Sequence, residues 1–249
     1  MTMPPETTDS PYQSVYHEFY RTIRAGAAGL SDGGGPFGFD ITAAIAFDDM
    51  VRAYQPDALV ETGCYFGDTT SYLSRAYPGL PVWSCDIDPA CAALTRQRTA
   101  AHANVSVLAD DSPAVVQRAA ARFERPLFYL DAHGKAAWPL AQELAAIREG
   151  IVCIDDFDIG NPRFAFDHYD GVRCDAAYVL EAAQRVQDVY RIDPEADYPF
   201  PCLQTGRRAG KGMVPFGAAA EELCATQPRL AHQASRQTKG LTTGGFHVR

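Results

Sequence analysis

No cysteine pair in this chain has the C-x-x-C spacing of zinc and redox motifs, although seven cysteines (64, 85, 91, 153, 174, 202 and 224) are present. An odd count without metal spacing points to free thiols in a reducing compartment. Cys85 and Cys153 fall in strand-like runs and read as core packing. The chain also lacks any run of about 18 apolar residues, so it offers no membrane-spanning helix. Positive charge is scarce: 22 Lys and Arg stand against 31 Asp and Glu, a net charge of −9, and no basic block compensates. That argues against a nucleic-acid partner, because tracking phosphates needs a basic face. The first ten residues, Met1 to Ser10, are polar and lack the basic-then-apolar pattern of a secretory leader. The expectation is a cytoplasmic protein without membrane contact.

What is present is an alternation of strands and helices. The 249 residues suffice for one large α/β domain with a sizeable core. Apolar spacing predicts a helix within Tyr12 to Leu30, then a flexible break at Asp32 to Gly38, then a helix over Ile41 to Tyr54 with Asp40 as N-cap and Gln55-Pro56 as stop. Five short apolar strands follow, at 58–60, 82–85, 105–108, 127–130 and 151–154. Helices separate them at 69–77, 89–101, 113–123 and 139–149. Continuous apolar strands alternating with helices predict a doubly wound, mostly parallel sheet covered on both faces. A further helix is expected over 174–187, and an antiparallel pair from 189–192 and 213–216, joined by a loop. The polar stretch from Gln227 to Arg249 reads as a tail, either partly disordered or docked on a second copy, which leaves a homodimer open. In sheets of this kind ligands bind at the carboxyl ends of strands. There the sequence places Glu61, Asp86, Asp88, Asp110, Asp111, Asp131, His133, Asp155 and Asp156.

The most specific stretch is Leu59-Val60-Glu61-Thr62-Gly63-Cys64-Tyr65-Phe66-Gly67-Asp68-Thr69-Thr70: a buried strand, an acidic residue, a glycine-bearing turn and a helix start. Gly63 and Gly67 let backbone approach a ligand and tolerate positive φ, while Asp68 or Thr69 can cap the helix. The spacing is neither the dinucleotide fingerprint G-x-G-x-x-G nor a P-loop. It resembles the first motif of class I S-adenosylmethionine (SAM) dependent methyltransferases. The resemblance continues through Trp83-Ser84-Cys85-Asp86-Ile87-Asp88-Pro89, Asp110-Asp111-Ser112-Pro113, Phe128-Tyr129-Leu130-Asp131-Ala132-His133-Gly134 and Ile151-Val152-Cys153-Ile154-Asp155-Asp156. It covers about residues 40 to 160, with a weaker match to about 217.

The resemblance implies a Rossmann-like, seven-stranded sheet over residues 40–217, a helical extension or lid over 1–39, and a C-terminal helix with a polar tail over 218–249. It implies SAM as cofactor, held by Glu61, Gly63, Tyr65, Gly67, Thr69, Asp86, Asp111, Ser112 and Asp131. Asp86 would take the ribose hydroxyls, and Asp111 with Ser112 would meet the adenine. Asp88, and equally Asp111 or Ser112, also read as ordinary caps of the helices they precede.

Asp131, Asp155 and Asp156 stand at adjacent strand ends, where their mutual repulsion would raise their pKa values. A divalent cation removes that cost, and oxygen ligands point to Mg²⁺. The pattern is similar to metal-dependent small-molecule O-methyltransferases acting on natural-product sugars or catechol-like acceptors. The ion would acidify an acceptor hydroxyl, and His133, with Asp131, would serve catalysis, His133 as general base. His133 also reads as a structural imidazole. Here Asp131-Ala132-His133-Gly134 is shorter than the usual Asp-rich run of that group. His168, with Asp158, Arg163 and Tyr169, reads as a surface loop or a contributor to the acceptor pocket. Arg207, Arg208 and Lys211 read as a solvated loop, with an anion receptor as the alternative. Tyr12, Tyr16, Phe19 and Phe37 read equally as a lid or as helix packing. The function expected is methyl transfer from SAM to a hydroxyl of a small acceptor. The rivals are metal-free methylation of another atom type and a catalytically silent SAM-binding scaffold.

Overall fold

The computed structural model describes residues 11–25, 27, 29–132 and 138–236. Helix α1 (Gln13–Arg21) leads through a tight turn at Pro36–Phe39 into α2 (Ile41–Tyr54). Asp40 caps α2, its Oδ1 accepting the Thr42 and Ala43 amides at 2.9 and 3.4 Å. The helix stops where Gln55 turns left-handed, φ 52°, ahead of Pro56. The alternation then runs β1 (Ala58–Thr62), α3 (Asp68–Ala76), β2 (Val82–Asp86), α4 (Pro89–Thr99), β3 (Val105–Ala109), α5 (Ser112–Arg122), β4 (Pro126–Leu130), α6 (Leu140–Ala146) and β5 (Gly150–Ile154). Prolines at the first turns of α4 and α5 fix where those helices begin. The short strands β6 (Phe164–Ala165), β7 (His168–Tyr169) and β8 (Val172–Arg173) follow. The chain closes with α7 (Ala176–Ala182), β9 (Asp188–Ile192), β10 (Arg208–Ala209), β11 (Gly212–Phe216), α8 (Ala218–Thr226) and β12 (Leu230–Ser235).

The main sheet has the order β12-β9-β11-β5-β4-β1-β2-β3. Strands β1 to β5 are mutually parallel, and β11 enters antiparallel between β5 and β9. This is the expected α/β architecture with one addition, β12, which pairs antiparallel with β9 through an irregularity at His232/Ala234. The stretch expected as tail therefore begins with a sheet strand. The unpaired edge of β9 offers its backbone groups, and such edges recruit strands. The helix expected up to Leu30 ends at Arg21, where Thr22 becomes extended and its hydroxyl donates back to the Glu18 carbonyl, 2.7 Å.

Strand side chains alternate between two apolar layers, as the two-residue period requires. Leu59, Leu127, Tyr129, Ile151, Cys153 and Met213 face α1, α2 and α3, whereas Val60, Phe128, Leu130, Val152, Ile154 and Val214 face α5, α6 and α7. The aromatic residues ahead of α2 belong to the first layer. Phe37 is fully buried, with its ring 4.9 Å from Tyr129, 5.1 Å from Phe47 and 5.6 Å from Tyr72. Phe19 is buried against Phe39 and Tyr72. Of the two readings of these rings, packing is the one found. Truncating Phe37→Ala is expected to cost about 3–5 kcal/mol of unfolding free energy, measured as a lower urea midpoint at unchanged slope.

Candidate active site

The order of strands reverses between β1 and β4, and the crevice at that switch point is where sheets of this type take ligands. On one side the chain leaves β1 through Gly63 (φ 73°), Tyr65 (φ 46°) and Gly67 (φ 75°). The turn is closed by Cys64 N–H on the Cys85 carbonyl, 2.8 Å, and Gly67 N–H on the Cys64 carbonyl, 2.6 Å. A Cβ on Gly63 would stand 2.3 Å from the Asp131 carbonyl oxygen, and one on Gly67 would stand 2.7 Å from the Thr95 hydroxyl. The glycines thus admit protein: the first lets the β1 turn touch the end of β4, the second lets it rest on α4.

Asp86 organises this turn. Its Oδ2 accepts the Tyr65 amide at 2.8 Å and its Oδ1 the Asp88 amide at 2.9 Å. A carboxylate has about four acceptor positions, so both oxygens retain capacity for a ligand hydroxyl. Apolar surface flanks it. Tyr65 is 63 % exposed and stacks on Phe66, centroids 3.9 Å apart, and Ile87 is 74 % exposed. An isoleucine between two aspartates in a loop is the sequence signal of this exposed apolar position. Next along the rim, Asp110 is held by Arg118 at 2.7 Å, and that contact draws its carboxyl below the usual range. Asp111 sits at the N-cap position of α5 without a side-chain cap bond and is exposed, while Ser112 is buried in the first turn.

Two of the residues expected at the cofactor are buried and bonded to protein. Glu61, only 2 % exposed, is beneath the turn, where its Oε2 accepts from Ser84 of β2 at 2.5 Å and from Thr70 of α3. It ties strand to helix. The Thr69 hydroxyl accepts the Phe37 amide at 3.2 Å and faces the N-terminal segment.

On the other side of the switch point, Asp131 is anchored by its amide to the Thr62 carbonyl and hydroxyl, 3.2 and 3.3 Å. It lines a cleft of about 10 Å³, room for one water, with Trp138, Glu143, Asp155 and Asp167. Trp138 is stacked between Tyr178 and Tyr169 at 4.6 and 5.7 Å. His133 and Lys135 lie outside the described residues. His168 is on the exposed β7–β8 hairpin, as expected of a surface loop, and Arg173 pairs with Asp158 there.

The expected metal ligands do not come together as a set. Asp155 is 7 % exposed, and its Oδ1 accepts from the Lys211 ammonium and from the Asp156 amide, 2.6 Å. Its Oδ2 accepts from the Tyr129 hydroxyl. Asp156 turns left-handed, φ 47°, and its carbonyl accepts the Asp167 amide at 2.8 Å. Among the described residues no group of three or more His, Cys, Asp or Glu side chains is arranged to hold a metal ion. Burial alone would raise the Asp155 pKa. The Lys211 charge, the hydrogen bonds from Lys211 and Tyr129, and the Asp156 amide outweigh it, so the carboxyl titrates below its ordinary range. For Lys211 burial favours the neutral amine, but Asp155 and then Asp156 overcome it and hold the ammonium well above its ordinary pKa. A dication at Asp155 would face a fixed positive charge, so these donors do not fit Mg²⁺ as they stand.

Of the basic cluster only Arg207 is exposed, donating to the Phe164 carbonyl at 2.7 Å; the other two are not a solvated loop. Lys211 is 2 % exposed, and Arg208 donates to Asp40 at 2.7 Å and to the Thr42 hydroxyl at 2.5 Å, over the Phe164 ring. No short-range signal links Asp155 to Lys211, yet the run Gly210-Lys211-Gly212 carried a hint. Cβ atoms on either glycine would collide with Phe157, at 2.1 Å and 2.8 Å.

No family model matches the chain, and no curated protein matches it. Among solved structures it is similar, at a distance, to several methyltransferases. An rRNA methylase from Streptococcus thermophilus overlaps 71 % of this chain and 97 % of its own, with 15 % identity and a TM-score of 0.45. A methyltransferase from Podospora anserina, bound to SAH, overlaps 72 % and 79 %, with 13 % identity and a TM-score of 0.45. The N-methyltransferase NodS from Bradyrhizobium japonicum overlaps 70 % and 93 %, with 12 % identity and a TM-score of 0.44.

Glu61 provides a test of this geometry through stability. Burial lifts its pKa from 4.5 to about 7, and the Ser84 and Thr70 hydroxyls hold it from rising further. The folded state then binds the proton more tightly than the unfolded chain. Its contribution is complete below pH 4.5 and is lost as pH rises through about 7. Glu61→Gln cannot ionise and loses this slope. Relative to wild type it is expected to gain on the order of 3 kcal/mol between about pH 4.5 and about pH 8, read from urea unfolding at the two pH values.

Proposed function

We propose that this chain is a SAM-dependent methyltransferase that acts on a hydroxyl of a small-molecule acceptor. The observation that carries the reading is Asp86. It is a carboxylate at the end of the strand beside the switch point, braced by the Tyr65 and Asp88 amides, with exposed Tyr65 and Ile87 around it. Such a site suits a ligand with vicinal hydroxyls and an apolar ring face. The turn from Gly63 to Gly67 borders the same crevice, and Asp111 with Ser112 extends its rim. These residues fit an adenosine-bearing cofactor, and SAM supplies an electrophilic methyl group when bound.

The acceptor end is assigned to the crevice beside Asp131. Asp131 or His133 takes the proton of the acceptor hydroxyl, and the crevice aligns the oxygen, which is the main contribution an enzyme makes to a displacement of this kind. The net charge of −9 speaks against a nucleic-acid acceptor. No helix among the described residues is long and apolar enough to cross a membrane. A metal-assisted version would require Asp155 to release Lys211, and no step here is routed through an ion.

Calorimetric titration with SAM tests the cofactor assignment. Wild type is expected to bind, and Asp86→Ala to bind about 10- to 100-fold more weakly, the loss of hydrogen bonds to a charged group. Equal affinity in the two proteins, or no binding by wild type, would sink it. A bound protein that methylates none of a panel of hydroxylated acceptors would point to the binding-only scaffold.

A further inference from the structure

We infer that the Lys211 ammonium stands at this site where a divalent ion would otherwise bridge the strand-end carboxylates, and that Lys211 is the residue that positions Asp155. The placement of Lys211 goes beyond the methyltransferase reading; only its consequence for the acceptor rests on that reading.

The first support is topological. β11 runs antiparallel to β5 with Gly212 opposite Ile154, so Lys211 and Asp155 are the next residues outward on the same pair of strands. Opposite charges at facing positions of an antiparallel pair attract, and here the pair is closed off from solvent. The second support is the partnering of Asp155, with three of about four acceptor positions taken. Lys211, the Asp156 amide and the Tyr129 hydroxyl occupy both of its oxygens. The third is confinement of the ammonium. Nζ also donates to the Ala209 carbonyl at 3.3 Å, and a Cβ on Gly38 would lie 4.0 Å away, so the segment before α2 covers it. The Lys211 carbonyl is itself pinned by the Ile192 amide at 3.0 Å. An ion taking the Lys211 position on Oδ1 would have to displace a buried side chain held by Asp155, the Ala209 carbonyl and the segment before α2.

The chemistry that follows differs from that of a metal site. A metal recruits acceptors through two chelating oxygens, whereas a fixed monovalent charge makes no such demand. The acceptor class therefore extends to molecules with a single hydroxyl.

The test is a Mn²⁺ titration followed by electron paramagnetic resonance on three full-length proteins. They are wild type, Lys211→Met, and the double variant Lys211→Met/Asp155→Asn, which leaves neither charge buried alone. Wild type and the double variant are expected to bind Mn²⁺ equally, with no site at Asp155. Lys211→Met, with the carboxylates freed, is expected to bind at least about tenfold more tightly than either. The inference is overturned if wild type binds Mn²⁺ at a site the double variant lacks, or if folded Lys211→Met gains no affinity. Should Lys211→Met not fold, Lys211→Gln takes its place, and the comparison of wild type with the double variant decides alone if neither folds. SAM calorimetry on the same preparations separates a failure here from a failure of the cofactor assignment.

Discussion

The ion pair between Asp155 and Lys211 is the contact on which the β4–β5 side of the crevice depends. Two unit charges with almost no access to water are tolerable only because each has the other and further hydrogen bonds satisfy what remains. Removing either alone would strand its partner. The pair reaches the Asp156 turn through the Asp156 amide, the aromatic layer through Tyr129, and the β9 strand through the Lys211 carbonyl. Three residues earlier, Arg208 clamps Asp40, which caps α2. One short segment, Arg208 to Lys211, thus joins the end of β5 to the start of the helix on the neighbouring layer.

The two halves of the crevice are built on different terms. Around Asp86 the polar groups are braced but not exhausted, and apolar side chains stand open to solvent. Around Asp155 the polar groups are consumed internally and the space left is about that of one water. The first half is ready for a ligand as it stands. The second is a framework that shapes what lies beside Asp131, with the Trp138 stack holding the far wall.

Much of this was legible in the sequence because it is local. The start of α2 at Asp40, the proline-led helices α4 and α5, and the strand-end position of Asp86 all follow from residues within a few positions of each other. What could not be read is what depends on partners far along the chain. Asp155 looks like a metal ligand only while Lys211, more than fifty residues later, is out of sight. The bonds of Glu61 to Ser84 and Thr70 were equally out of sight. Thr69 likewise belongs to Phe37. Strand β12 was missed because Leu230 to Ser235 carries a weak apolar pattern, and its conformation is set by the open edge of β9.

Arg98 of α4 ties the turn from Gly63 to Gly67 to the N-terminal segment. Its guanidinium donates to the Phe66 carbonyl, to Asp68 at 2.6 Å and to the Ile23 carbonyl at 2.6 Å, and Asp68 also accepts the Ala25 amide at 3.1 Å. Because the guanidinium is a rigid plane, a displacement of Phe66 is transmitted to Ile23 at the cost of bending or breaking a charged hydrogen bond. Two stretches separated by some forty residues therefore share a single hinge pin, and neither can shift without the other registering it.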